Sequence, residues 1–139
     1  MKLDMAAKLA LCSGLLLSGA PALAHHGTGF EYDQTKRITL SGVVTDFAFS
    51  YPHPQLYFDV TIEGGKVQHW GAEFAPTPLM LKKSGGWTRT SVKPGDQIVM
   101  ICAPHKKPGA TACLARELTV NGKKLAVGMP QPVAAEKQP

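Results

Sequence analysis

The residues with the clearest capacity for chemistry are the five histidines, and two of them stand together at His25-His26. They follow Ala22-Leu23-Ala24, which fits the small-x-small pattern of a signal-peptidase site. A cut after Ala24 leaves His25 first, with a free α-amine and an imidazole on one residue. The amine and Nδ1 of such a residue close a six-membered chelate on one metal. A second imidazole then completes the nitrogen-rich, tetragonal set that copper(II) favours, an arrangement known as a histidine brace. The amine titrates near 7.7–8 and imidazole near about 6.5, so protons compete only modestly at neutral pH. His53 is the preferred second ligand, because Pro52 and Pro54 stiffen its loop. His26 and His105 are the further metal candidates. Copper is therefore the cofactor to test, in handling or sensing rather than in turnover.

A second, metal-free chemistry is readable from residues 55–74. Alternation there puts Tyr57, Asp59 and His69 on one outward face. An aromatic ring beside a carboxylate and an imidazole suits a surface that binds a small ligand or an envelope protein. Enzyme signatures are thin. The serines lack a nucleophile-elbow context, and there is no glycine-rich phosphate loop. Catalysis has no assigned residue.

The leader decides the compartment. Lys2 and Lys8 precede a short apolar run over residues 9–20, as in a secretory signal over residues 1–24. The run is shorter than the roughly 20 residues that cross a bilayer, and no later stretch qualifies as a transmembrane segment. Export to the periplasm or beyond follows. Cleavage removes Cys12 from the three cysteines, leaving Cys102 and Cys113. In an oxidising compartment that even pair predicts a disulfide. The formal charge of +5 is mild and its lysine pairs are scattered, which argues against a nucleic-acid partner.

The elements that would position these groups are strands. Residues 38–49 are rich in β-branched and aromatic types and predict a long first strand, with Gly42 marking a bulge or bend. Residues 55–62 and 67–74 form a hairpin about Gly64-Gly65. Pairing Val60 with Trp70 and Phe58 with Ala72 keeps the apolar sets together. That register sets His69 opposite Thr61, with Asp59 diagonal. Thr77-Pro78 starts a short helix that stops at Gly85-Gly86, with Trp87 tucked beneath it. Residues 97–102 are apolar on both faces and predict a central strand. Residues 112–120 return, and 123–127 close the chain after Asn121-Gly122. Met80 and Met100 lie in apolar runs and are assigned to the core.

Strand, strand, strand, short helix, strand, strand is the order of the five-stranded OB barrel. A small β-sandwich is the alternative within the all-β class. The expected organisation is a leader (1–24), an arm (25–37) pinned by Phe30 and Tyr32, a barrel (38–128) and a disordered tail (129–139).

His25-His26, Phe30, Tyr32-Asp33, Leu40-x-Gly42-x-Val44, Pro52-His53, Trp70, Gly86-Trp87-Thr88-Arg89 and Lys93-Pro94-Gly95-Asp96 together carry a resemblance. In that order they resemble a family of small exported bacterial proteins catalogued as a domain of unknown function. Members typically carry an Asn before the Pro-His pair, where this chain has Tyr51. The resemblance implies export and a compact β domain, and it implies no activity. The element order is also similar to that of exported bacterial OB-fold proteins of the stress-related kind.

Overall fold

A computed structural model describes residues 31–128 of the chain. The predicted leader, His25, His26, Phe30 and the tail from Met129 onward lie outside the described residues. Six strands and one helix follow in order: β1 (Ile38–Ala48), β2 (Gln55–Thr61), β3 (Val67–Glu73), α1 (Pro78–Gly85), β4 (Gln97–Pro104), β5 (Ala112–Val120) and β6 (Lys123–Leu125).

The strands form one sheet in the order β3-β2-β1-β4-β5-β6, and a parallel pairing of β3 with β5 closes it. The result is a closed five-stranded barrel with one extra strand, the OB arrangement and not the sandwich. Strand β1 makes closure possible. Its first half pairs with β4 (Ile38 with Cys102) and its second half with β2 (Val44 with Phe58). One strand can serve two partners only if it bends, and two devices bend it. A register shift falls between Val44 and Asp46. At Gly42 a Cβ would fall on the carbonyl oxygen of Asp59, so only glycine lets β2 come this close.

The hairpin register differs from the predicted one by two residues. Phe58 pairs with Trp70, Leu56 with Ala72 and Val60 with Gln68. The turn is the cause. Residues 63–65 form a three-residue connection in which Gly64 and Gly65 both take positive φ, and the Ile62 amide donates to Lys66 O across it. Those two glycines must occupy the last two turn positions, and that fixes the register. A two-residue offset preserves facing, so the inward set holds: Leu56, Phe58, Val60, Ala72 and Phe74 are buried.

Helix α1 begins on Thr77, whose side chain accepts from the Met80 amide, and ends on Gly86 in the left-handed region. It plugs the barrel end with Pro78 and Leu81. Trp87 lies beneath it against Phe47 and Phe74, with its indole N–H donating to Ala126 O. Two turns of helix bury a single i, i+3 stripe, so Met80 faces outward at 40 % exposure while Met100 is fully buried. Met80 is therefore not a core residue. Strand β4 is central, between β1 and β5, yet Val99 on its outer face is exposed. Barrel closure buries one face only, and apolar character on the other did not signal a second layer. The last strand ends at Leu125, two residues short of its predicted end.

Candidate functional site

The outward faces of β2 and β3 carry the site. Alternation buries Leu56, Phe58 and Val60, so Gln55, Tyr57 and Asp59 must point away from the core. Their cross-strand partners are Glu73, Gly71 and His69 respectively. His69 thus sits directly opposite Asp59, not Thr61 as predicted, and its Nδ1 lies 2.5 Å from Asp59 Oδ1. An ionised carboxylate only accepts, so Nδ1 carries the proton and donates. In the neutral ring the lone pair then falls on Nε2. The His69 side chain is 83 % exposed, which leaves that lone pair open to a ligand.

Two pairs along the ladder, on the same face, the Tyr57 ring rests on Gly71. A Cβ at that glycine would lie 3.6 Å from Cε1 of the ring. With no side chain between, the half-exposed ring lies along β3 as a platform. Tyr57, Gln55, His69 and Gly71 line an open cleft of about 560 Å³, joined by Thr45 from β1.

A further wall comes from residues far away in sequence. Tyr32 and Thr111 also line the cleft. The arm carrying Tyr32 is laid along the end of β4: Asp33 N donates to Pro104 O, Lys106 N donates to Glu31 O, and Tyr32 bridges to His105. The Tyr32 ring packs with Ala103 and Leu114 and meets the His105 ring edge-on at 5.6 Å. Its hydroxyl donates to Glu73 Oε2 at 3.0 Å. Burial, and then the negative charge of Glu73, hold the Tyr32 phenol far above its ordinary value. The phenol therefore stays neutral, as a donor that ties the arm to β3.

Of the predicted metal ligands, the two that the structure describes, His53 and His105, do not line the cleft. His53 sits in the turn before β2, half-buried, with Nδ1 buried and unpartnered among the described residues. It is not among the residues that line the cleft with His69. His105 is half-buried in the arm bridge rather than free in solvent. Its Nδ1 accepts the Lys107 amide at 3.0 Å, which puts the neutral ring's proton on Nε2 and commits both nitrogens. His25 and His26 lie outside the described residues. Among the described residues no three His, Cys, Asp or Glu side chains gather into a group that could hold a metal. Cys102 and Cys113 form the predicted disulfide across the β4–β5 hairpin, both fully buried, with Cα atoms 5.7 Å apart.

Tyr57, Asp59 and His69 were thus legible as one surface, while Tyr32, Thr45 and Thr111 were missed as cleft residues. Tyr32 was read only as an anchor; which strand it anchors to depends on pairing over more than seventy residues. A second groove of about 520 Å³ runs between the β1–β2 turn and α1, with Tyr51 and Leu79 exposed above Trp87.

No curated protein matches the chain. A family model described as a family of unknown function (DUF6152) matches residues 13–115. The matched span takes in the arm, β1 to β4 and the disulfide cysteines, and with it both walls of the cleft. The chain belongs to the DUF6152 family.

Proposed function

We propose that this chain is an exported binding module whose ligand is a small molecule seated on the outer β2–β3 face. The observation that carries the reading is the cleft itself. An aromatic platform, Tyr57, stands beside a ring nitrogen, His69 Nε2, whose lone pair is aimed outward by Asp59. A site of few polar groups around an apolar surface is what small-ligand recognition needs. The ligand that fits presents a flat face to Tyr57 and an N–H or O–H donor to His69. Gln55 and Thr45 supply further hydrogen bonds at the rim. The strand 2–3 face is also where OB barrels commonly bind, which is a fold-level analogy. Export is supported by the leader-like first 24 residues and by a disulfide that suits an oxidising compartment.

Ligand-observed NMR on the chain beginning at His25, with a panel of small aromatic and heteroaromatic donors, tests this. Gly71→Val lifts the Tyr57 ring and is expected to abolish the saturation-transfer signal of the hits. Hits that survive Gly71→Val unchanged remove the cleft from consideration.

A further inference from the structure

We propose that the groove between the β1–β2 turn and α1 is a second binding site, and that its ligand is an aromatic carboxylate. The acid group pairs with Arg89 and Lys82, and the ring covers Tyr51, Leu79 and Trp87. The groove and the β2–β3 cleft share no lining residue, and they ask for opposite chemistry. His69 Nε2 in the cleft needs a hydrogen-bond donor, whereas an ionised carboxylate only accepts.

Three observations carry it. First, the cations of the groove lack partners. Arg37 donates to Gln34 O and Lys36 O, and Arg116 donates to Gln34 Oε1. The Arg89 guanidinium and the Lys82 ammonium have no hydrogen bond or ion pair among the described residues. Among the described residues, no carboxylate lines the groove with them. Two such cations draw an anion, and the planar fork of Arg89 matches a carboxylate with two parallel hydrogen bonds. Second, apolar surface lies uncovered beside them. Tyr51 is 67 % exposed and Leu79 is 49 % exposed, and they line the groove with Phe49 and Trp87. A flat ring covers such surface and packs well against aromatic neighbours. The volume of about 520 Å³ suits a small ligand. Third, the frame is already rigid, so little order has to be gained on binding. Trp87 is fixed by its bond to Ala126 O and by packing on Phe47 and Phe74. Arg89 stands in a turn where Ser91 N donates to Thr88 O and Thr88 N donates to Ser91 Oγ. Lys82 is carried on α1, which is capped at both ends.

The test titrates the chain beginning at His25 with naphthoate and with its uncharged counterpart naphthamide, read by calorimetry and amide chemical shifts. One saturable naphthoate site is expected, with the largest shifts at Tyr51, Leu79 and Arg89. Naphthamide should bind roughly tenfold more weakly, because it loses the charge-assisted hydrogen bonds. Arg89→Gln should weaken naphthoate by roughly tenfold and leave naphthamide unchanged. Lys82→Gln should weaken naphthoate by about threefold, as suits a more hydrated ammonium. Both side chains are exposed, so these variants keep the fold. Added salt should narrow the gap between acid and amide. Gly71→Val, which alters the β2–β3 cleft, should leave naphthoate affinity unchanged. Equal affinity for acid and amide, naphthoate binding indifferent to Arg89→Gln, or shifts centred on Tyr57 and His69 would each overturn the proposal. So would the absence of saturable naphthoate binding in a chain that instead associates with phosphatidylglycerol vesicles, since the patch would then face a membrane surface.

Discussion

His69 Nδ1 lies 2.5 Å from Asp59 Oδ1 because the β2–β3 ladder sets these residues directly opposite one another. The pair is a consequence of register, and register is a consequence of the turn at Gly64-Gly65. A feature of the chemistry is thereby fixed by the backbone requirements of the loop that closes the hairpin.

The first expected outcome concerns the tautomer. The neutral His69 ring should hold its proton on Nδ1, and long-range ¹H–¹⁵N spectra should show Nε2 as the unprotonated nitrogen. Asp59→Leu removes the acceptor and should shift the ring toward the Nε2–H form. A ring already in that form in the unaltered protein contradicts the assigned donor.

Gly42→Ala should destabilise the barrel and disturb the site together. The added methyl meets backbone rather than a flexible side chain, namely the Asp59 carbonyl. Overpacking of this kind costs about 2 kcal/mol, measurable as a lower urea midpoint. Because the displaced backbone belongs to Asp59, the His69 ring signals should move as well.

Removing the disulfide should cost more. Cys102 and Cys113 are separated by 11 residues, and closing a loop of that size is worth about 3 kcal/mol in the chain-entropy account. Replacing both with Ala should lower Tm by roughly 12–20 °C, read by circular dichroism. The buried pair should resist reductant until the barrel opens.

Tyr32→Phe should loosen the arm. The lost hydrogen bond runs to a carboxylate, so the cost is about 1.5 kcal/mol. The pH dependence gives an independent check. The folded phenol is held above its ordinary value by burial and by Glu73, so its contribution is whole below about pH 10. Above that the unfolded tyrosine ionises first and the contribution declines. The stability gap between the two proteins should therefore narrow as pH rises past about 10. A gap independent of pH contradicts the buried, neutral assignment.

How much of this was legible follows from which interactions are local. Alternation in residues 55–62 shows Tyr57 and Asp59 facing outward, because period-two patterning needs no knowledge of the partner strand. The capping residues Thr77 and Gly86 and the Asn121-Gly122 turn are equally local, and they delimit the elements they flank. The opposition of His69 and Asp59 was missed by two residues. Apolar matching tolerates any even offset, and only the positive φ of Gly64 and Gly65 decides among them. Met80 was misplaced because a hydrophobic run of Leu79-Met80-Leu81 does not show which side of a two-turn helix meets the barrel. The Tyr32–His105 bridge and the Tyr32–Glu73 hydrogen bond were invisible. They join segments that pattern alone gives no reason to pair, and they build the second wall of the cleft.

The most direct measurement of the central claim is amide chemical-shift mapping on the chain beginning at His25, titrated with the strongest binder from the aromatic panel. The largest shifts are expected at Tyr57, His69, Gly71 and Thr111, on both walls of one cleft. Shifts gathered instead at Tyr51, Leu79 and Arg89, in the groove beside the helix, would contradict the assignment of the β2–β3 face as the ligand surface.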